Sequence, residues 1–194
     1  MTIAERTSRH PDQASPPAPA LVIRRIAAFA LDYLLILSYL GVLVLASFLV
    51  PQMNPWFRRL STAHWASFFL VTLPVSLYFM LSEASSAQAT FGKRWMGIRV
   101  QSWTGQRLTL PASLIRTALK FAPWEFGHAA VWRFALGAGN AAQLHIANDF
   151  LATTWVLAAL YLVCMAVDSR RRAPYDFASL SQVVLVPHTG SPLS

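Results

Sequence analysis

The chain alternates long apolar stretches with short polar ones, and three of the apolar stretches are long enough to cross a membrane. They cover residues 26–50, 64–81 and 150–167. A bilayer core about 30 Å thick requires about 20 apolar residues from a helix, a length that soluble core helices rarely reach without charge. The pattern therefore predicts an all-α integral membrane protein.

The distribution of lysine and arginine predicts a fourth crossing. With three crossings, the arginines at residues 170–172 would lie outside, against the tendency of basic residues to remain in the cytoplasm. A crossing at residues 121–139 instead places thirteen of the sixteen basic residues inside and three outside. We therefore expect a four-helix transmembrane bundle with both termini in the cytoplasm and the loop at residues 51–63 outside.

The third of these four helices is atypical. It contains Glu125, His128 and Arg133, and Pro123 interrupts its start. Ionisable groups cost about 3 kcal/mol each to insert at the bilayer centre, so they must face protein or water. The alternative is an amphipathic helix over residues 112–136 that lies in the membrane interface. The charge distribution favours the crossing.

The polar segment after the second span predicts a short cytoplasmic β-hairpin. Apolar and polar positions alternate over residues 98–102, a turn signal follows at Thr104 and Gly105, and an extended pattern resumes at residues 107–109. A second extended stretch, residues 182–186, follows the last span. It is predicted to add a strand to the hairpin, because both lie on the same side of the membrane.

The two ends of the chain are predicted to lie outside the packed domain. Residues 1–20 contain four prolines and scattered charge, so we expect a disordered cytoplasmic tail. Residues 188–194 are expected to form a short C-terminal tail. The transmembrane domain would then cover residues 21–187.

Composition agrees with this picture and narrows the range of partners. Hydrophobic residues make up 55% of the 194 residues and charged residues only 12%, values that soluble domains seldom reach. The net charge of +8 would suit nucleic acid, but the basic residues flank apolar spans, so the expected partner is the lipid bilayer and not nucleic acid. A homo-oligomer is expected, because four helices enclose little aqueous volume.

Asp32 is the one charged residue inside the first apolar stretch. Arg25 precedes it by two helical turns, about 10 Å, so the two share a helix face without direct contact. A carboxylate at this depth either pairs with a cation or takes up a proton, which would suit a relay. Pairing, the more frequent outcome, would use a cation such as Lys93, Arg94 or Arg116.

A second group of polar residues lies on the predicted outer side. Glu125 and His128 are three residues apart and share a helix face, and His145 and Asp149 are four apart. Together they offer ligands for Zn²⁺, but a helix cap at Asp149 and a plain Glu–His hydrogen bond explain the same residues. We therefore expect no metal site. The chain also has no phosphate-binding loop and no nucleophile elbow, so we expect no enzymatic activity, and the sequence identifies no cofactor.

Pro74 interrupts the second span. A proline has no N–H, so the carbonyl four residues earlier, at Leu70, is predicted to lose its helical hydrogen bond. In a transporter such a kink would serve as a hinge. In a passive bundle it would only shape the packing.

Four segments carry a family resemblance. They are RRIAAFALDYLLI (residues 24–36), YFMLSEASSAQATFGKRWMGIRV (78–100), LPASLIRTALKFAPWEFGH (110–128) and RRRAPYDFASLSQVVLV (170–186). In this order they resemble the RDD family of bacterial membrane proteins, named for one arginine and two aspartates that correspond here to Arg25, Asp32 and Asp176. The resemblance implies a place in the bacterial cytoplasmic membrane and, for some relatives, transport of small ions.

The last segment departs from the family pattern beside Asp176. Family members usually carry a histidine before this aspartate and an arginine after it, whereas this chain has Tyr175 and Phe177. The departure removes a titratable group and a cation from the neighbourhood of Asp176, and so argues against a functional charged cluster around Asp176 in this chain.

Two hypotheses for the function follow from these residues. The first is a transporter of a small ion or solute in which Asp32, Glu125 and His128 titrate. The second is a non-transporting membrane scaffold or accessory subunit whose charges hold its helices together. A transporter needs its polar groups along a continuous water path, whereas a scaffold needs them paired with one another.

Overall fold

The computed structural model describes residues 18–50 and 55–186, which form a mainly helical protein with one small sheet. The helices are α1 (Ala18–Leu49), α2 (Leu60–Ser67), α3 (Leu73–Ala84), α4 (Phe91–Trp95), α5 (Leu110–Leu136), α6 (Ala141–Val167) and α7 (Pro174–Ala178), and the strands are β1 (Ile98–Ser102) and β2 (Ser181–Leu185). A π-helical turn, Phe68–Thr72, joins α2 to α3. Helix α1 thus begins three residues inside the predicted N-terminal tail. The rest of that tail and the predicted C-terminal tail lie outside the described residues.

Three helical segments are long and apolar enough to cross a membrane: Leu21–Leu49, Leu60–Ala84 and Ala141–Val167. They contain the three stretches predicted from the hydrophobic pattern, except for Val50, which lies just beyond the end of the first helix. Large apolar side chains on them, such as Phe48 and Trp155, are exposed. Such exposure is expected where lipid replaces water as the surrounding medium, so the fold is that of a membrane protein.

The second span is interrupted at Pro74 as predicted. The π-helical turn comes just before this proline, and the carbonyl oxygen of Leu70 accepts a hydrogen bond at 2.6 Å from the hydroxyl of Tyr39 on α1. The carbonyl four residues before the proline is therefore hydrogen-bonded by a neighbouring helix.

Helix α5 repeats this arrangement. Pro123 lies within the helix, which removes the N–H that would bind the carbonyl of Leu119. The hydroxyl of Tyr161 on α6 donates to that carbonyl at 2.6 Å. Each proline thus ties its own helix to a neighbour through a tyrosine.

Helix α5 is continuous from Leu110 to Leu136 and lies antiparallel to both neighbouring spans. Near its start, Ser113 donates to the carbonyl of Met80 at 2.8 Å, and near its end the indole of Trp132 donates to Ser67 at 3.0 Å. Residues 137–140 then turn the chain directly into α6. At a rise of 1.5 Å per residue, α5 is about 40 Å long, enough to reach across a bilayer.

The sheet consists of β1 and β2, which pair antiparallel with Ile98 opposite Leu185 and Ser102 opposite Ser181. The prediction that the stretch after the last span adds a strand is confirmed. The predicted hairpin is wrong, because residues 107–109 do not pair with β1. The chain does turn after Ser102, but residue 108 is then buried in the core and residue 109 caps α5, which leaves no residues for a return strand.

Two apolar clusters hold the fold together. The first joins α1 to the sheet and contains Ala28, Ile98, Val100, Leu108 and Val183. The second lies between α1, α3 and α5 and contains Ile36, Val75, Phe79 and Phe121. We call α4, β1, α7 and β2 the sheet layer, since these short elements cover one end of the long helices.

Candidate functional site

Asp32 is buried, with 1% of its surface exposed, and is surrounded by uncharged donors. The hydroxyl of Tyr78 donates to Oδ1 at 3.0 Å, the hydroxyl of Thr90 to Oδ2 at 2.6 Å, and the backbone N–H of Gly92 to Oδ1 at 2.9 Å. Three hydrogen bonds compensate much of the cost of burying a carboxylate. Asp32 thereby attaches α1 to both α3 and α4.

The donors of Asp32 leave no room for the predicted cation. Within residues 18–50 and 55–186, Asp32 forms no salt bridge. Helix α4 approaches α1 so closely that a Cβ at Gly92 would collide with the carbonyl oxygen of Ala28. Backbone and hydroxyl groups therefore reach the carboxylate first. This finding corrects the expected pairing with Lys93, Arg94 or Arg116.

Glu83, near the end of α3, is the acid with which the nearby cations Lys93 and Arg116 form salt bridges. It is fully buried and accepts hydrogen bonds from Lys93 and, at 2.7 Å, from Nε of Arg116. The Nζ atom of Lys120 lies 4.0 Å from its Oε1 atom. Sequence reasoning missed Glu83, because it lies two residues beyond the predicted apolar stretch 64–81 and so did not stand out as Asp32 did.

Asp176 is equally buried, at the start of α7. Arg25 donates to its Oδ2 atom at 2.9 Å, Arg116 donates to Oδ1, and the backbone N–H of Ala173 donates at 2.7 Å. Burial by itself would raise the pKa of Asp176, but the guanidinium groups of Arg116 and Arg25 outweigh it and hold the pKa below its usual range. Asp176 is therefore ionised in the folded protein.

Arg116 lies at the centre of this arrangement. Its guanidinium bridges Glu83 and Asp176, and Nη1 also donates to Ser181 on β2 at 2.7 Å. The ring of Tyr175 lies 5.0 Å from its Cζ atom. Five charged side chains from five helices are thus joined, and we call them the charge network: Arg25, Glu83, Lys93, Arg116 and Asp176.

A cavity of about 400 Å³ lies beside the charge network, between α1 and α6. We call the end of the bundle covered by the sheet layer the inner end, the opposite end the outer end, and this cavity the inner cavity. Charged side chains line its floor, among them Asp32 and Lys120. Its walls are apolar and come from the two long helices. The sequence did not predict this cavity, because its two walls are more than a hundred residues apart in the chain.

Glu125 and His128 lie elsewhere on α5 and turn toward the π-helical turn. Thr72 donates a hydrogen bond to Glu125, while Nδ1 of His128 lies 3.6 Å from the Oε1 atom of Glu125. His145 and Asp149 are both exposed. Among the described residues, no three His, Cys, Asp or Glu side chains come together in a group that could hold a metal ion. The four weak metal candidates therefore do not assemble into one site.

An apolar plug separates these two polar regions. We give this name to the second cluster, Ile36, Val75, Phe79 and Phe121. Along α3, Phe79 follows the π-helical turn and precedes Glu83 by one helical turn, and along α5, Phe121 lies between Arg116 and Glu125. Along both helices, these buried side chains lie between the inner and outer polar groups.

Comparison with protein families decides the identity of the fold. A model of the RDD family matches residues 19–179. The chain belongs to the RDD family. The match includes Arg25, Asp32 and Asp176, which lie together at the inner end of this RDD protein. No curated protein and no solved structure matches the chain.

The departures beside Asp176 do not weaken the charge network of this RDD protein. The hydroxyl of Tyr175 accepts a hydrogen bond from Arg25 at 3.5 Å, and its ring packs on Arg116. Phe177 lies with its ring centre 4.2 Å from the Cζ atom of Arg172. Both aromatic rings therefore contact a guanidinium where the family pattern has charged or titratable groups.

Arg172 in turn fixes the end of α6. It donates to both carboxylate oxygens of Asp168, at 2.8 and 3.0 Å. These hydrogen bonds lower the pKa of Asp168 to about 2.

The sequence identified only part of the charge network of this RDD protein. Sequence reasoning found Arg25 and Asp176 as family positions. It missed the bridging role of Arg116 and the presence of Glu83.

Proposed function

We propose that this RDD protein is a non-transporting membrane scaffold or accessory subunit, in which the charge network attaches the sheet layer to the long helices. One observation carries the proposal: the five charged side chains of the charge network are paired with one another. Arg25 and Arg116 share Asp176, and Arg116 and Lys93 share Glu83. Groups held in this way are unsuited to repeated binding and release of an ion.

The energetics of buried ion pairs support the same proposal. Removing one partner of a buried pair costs about 3–5 kcal/mol, since the other charge is left without compensation. A transport cycle that opened the network would have to meet that cost in each turnover. The apolar plug adds a second obstacle, because Phe79 and Phe121 lie between the network and Glu125.

We further propose that α5 is the third of four crossings and that the sheet layer lies in the cytoplasm of a bacterium. Two observations support this topology. Helix α5 runs antiparallel to two apolar spans over its length. If α5 crosses the membrane, thirteen of the sixteen basic residues in the sequence belong to segments assigned to the cytoplasm. Charged side chains on α5 would oppose its insertion into the bilayer, but two of them bond to protein groups: Arg116 to Glu83 and Glu125 to Thr72.

Transport of a small ion or solute is the second candidate, and a specific observation favours it. Asp32 has no cationic partner among the described residues, and it lines the inner cavity. Its three neutral donors can exchange for an ion or a proton at a lower cost than a salt bridge can.

Flux through proteoliposomes tests the two candidates. The full chain would be reconstituted, and proton, Na⁺ and K⁺ fluxes would be followed with fluorescent indicators in response to imposed gradients. The scaffold proposal predicts that wild-type vesicles leak no faster than empty ones. Asp32→Asn serves as the test variant, and Asp149→Asn, which changes an exposed carboxylate, serves as its control.

A wild-type flux above that of empty vesicles would overturn the scaffold proposal. If Asp32→Asn then abolished the flux while Asp149→Asn retained it, the transport candidate would replace the scaffold. Glu125→Gln adds a second comparison, since loss of flux in that variant would require a path through the apolar plug.

A further inference from the structure

The inner cavity combines a charged floor with apolar walls. Ile26 and Phe29 of α1 form one wall, and Leu162 and Met165 of α6 form the other. The floor consists of side chains from the charge network and its surroundings. A cavity with this polarity suits a molecule that has an ionic head and an apolar tail.

The charge on the floor is positive. Four cations and one carboxylate line the cavity: Arg25, Lys93, Arg116, Lys120 and Asp32. Glu83 and Asp176 lie behind them, so the whole group keeps one positive charge in excess when every member is ionised. The missing negative charge is one that a bound anion would supply.

Lys120 is the cation with the weakest partner. Its Nζ atom lies 4.0 Å from the Oε1 atom of Glu83, beyond hydrogen-bonding distance, and 3.7 Å from the ring centre of Phe79. An ammonium group carries three donors. Among the described residues none of these three forms a hydrogen bond, so they are available to an acceptor in the cavity.

The cavity opens toward the bilayer. The wall residues Ile26, Phe29 and Leu162 are 58%, 54% and 61% exposed, and all three belong to spans that are long and apolar enough to cross a membrane. In a membrane, such exposed apolar surfaces face hydrocarbon. A ligand with an acyl chain can therefore enter sideways between α1 and α6.

We propose that the inner cavity binds an anionic phospholipid, with its phosphate at Lys120 and an acyl chain between α1 and α6. The phosphate supplies the missing charge and accepts hydrogen bonds from ammonium and guanidinium groups. Basic pockets between transmembrane helices bind such head groups in other membrane proteins. The lipid comes from the cytoplasmic leaflet under the proposed topology, but its binding does not depend on whether the protein transports.

The experiment uses the full chain, purified in detergent and stripped of lipid. Native mass spectrometry and thermal unfolding would be recorded with phosphatidylglycerol, with phosphatidylcholine and with glycerol phosphate. We expect phosphatidylglycerol to bind at least about fivefold more tightly than phosphatidylcholine and to raise the melting temperature. Glycerol phosphate, which lacks the tail, should bind far more weakly.

Two variants locate the site, each with a matched control. Lys120→Gln should reduce the preference for phosphatidylglycerol about fivefold, the effect of one basic group near a lipid phosphate. Arg94→Gln removes one charge from an exposed position at the same end and should leave the preference unchanged. Ala158→Phe fills the apolar part of the cavity without altering a charge, and Ala159→Phe adds the same ring next to it but outside the cavity.

Each outcome bears on the proposal. Loss of binding in Ala158→Phe with retention in Ala159→Phe supports it, even if Lys120→Gln proves unstable. Equal binding of phosphatidylcholine and phosphatidylglycerol overturns it. Tight binding of glycerol phosphate also overturns it, because the ligand would then be a soluble organophosphate. Flux through proteoliposomes is not a readout here, so failure of the scaffold proposal remains distinguishable.

Discussion

The two ends of the helical bundle hold their acidic groups to different degrees. At the inner end, Asp32, Glu83 and Asp176 are buried, and each accepts at least two hydrogen bonds. At the outer end of the described chain, the side chain of Glu125 is 27% exposed and accepts one hydrogen bond, from Thr72. The residues that name the family all lie at the inner end. The comparison indicates that the inner end determines the stability of the fold, whereas the outer end tolerates change.

Loss of the central cation should have the largest effect. Arg116→Met removes the cation shared by Glu83 and Asp176 and leaves each acid with one remaining salt bridge, to Lys93 and Arg25, so we expect the free energy of unfolding to fall by about 3–5 kcal/mol. Arg133→Met is the matched change at the outer end, where the guanidinium bonds only to the carbonyl of Ala129 and packs on Phe150. It should cost about 1 kcal/mol or less. Denaturant titration in detergent micelles measures both, and equal losses would remove the distinction between the two ends.

Removal of the Asp32 side chain should cause the next largest loss of stability. Asp32→Ala strands the donors of Tyr78, Thr90 and Gly92, at a cost of about 1–3 kcal/mol. Asp32→Asn keeps one acceptor oxygen and should cost less. Melting temperatures of the purified variants provide the measurement. If both variants have the melting temperature of the wild type, Asp32 has no role in attaching α4 to α1.

The close approach of α4 to α1 gives a third prediction. In Gly92→Ala the new methyl group meets the carbonyl oxygen of Ala28, so α4 must move away, and we expect a loss of about 1–3 kcal/mol. Gly41→Ala, on the same helix as Ala28, meets no atom within 4 Å and should change stability by about 1 kcal/mol at most. A Gly92→Ala protein as stable as Gly41→Ala would contradict the packing.

Acid should destabilise the inner end of the bundle through protonation of Asp176. The pKa of Asp176 is lowered in the folded protein, so its contribution to stability is fully present above the usual carboxyl pKa of about 4 and is lost as the pH falls through the folded value. We expect unfolding midpoints to be insensitive to Asp176 from pH 7 to 5 and to fall below about pH 4. Asp176→Asn should flatten that fall; an unchanged profile would exclude Asp176 as its source.

The smallest effect is expected at Glu125. Glutamine can still accept the hydrogen bond of Thr72, and His128 forms no hydrogen bond with the carboxylate, so Glu125→Gln should cost less than about 1 kcal/mol. A loss as large as that of Arg116→Met would show that the outer end is as tightly organised as the inner one.

The spans and the proline carbonyl could be predicted because they depend on local properties of the chain. An apolar run of sufficient length specifies a membrane helix wherever it occurs, and Pro74 frees the carbonyl of Leu70 by its own covalent structure. Strand β2 could be predicted because the alternation of apolar and polar residues in it is also a local property. It was expected to join a hairpin, whereas it pairs with β1 alone.

The partners of Asp32 could not be predicted from local pattern. They depend on Gly92, sixty residues later, and on how closely a short helix can approach α1. Lys93 pairs with Glu83 for the same reason, because Thr90 and Gly92 already donate hydrogen bonds to the carboxylate oxygens of Asp32. Tertiary contacts of this kind decide between partners of similar charge, and residue spacing does not encode them.

The two tyrosine–carbonyl bonds at the prolines restrict how the bundle can deform. A helix bends most readily at its proline, but here bending at Pro74 pulls on α1 through Tyr39, and bending at Pro123 pulls on α6 through Tyr161. At their prolines the long helices are therefore coupled as two pairs, α1 with the second span and α5 with α6. Each tyrosine resists bending of the neighbouring proline helix, which stiffens both sides of the cleft between α1 and α6 that holds the inner cavity.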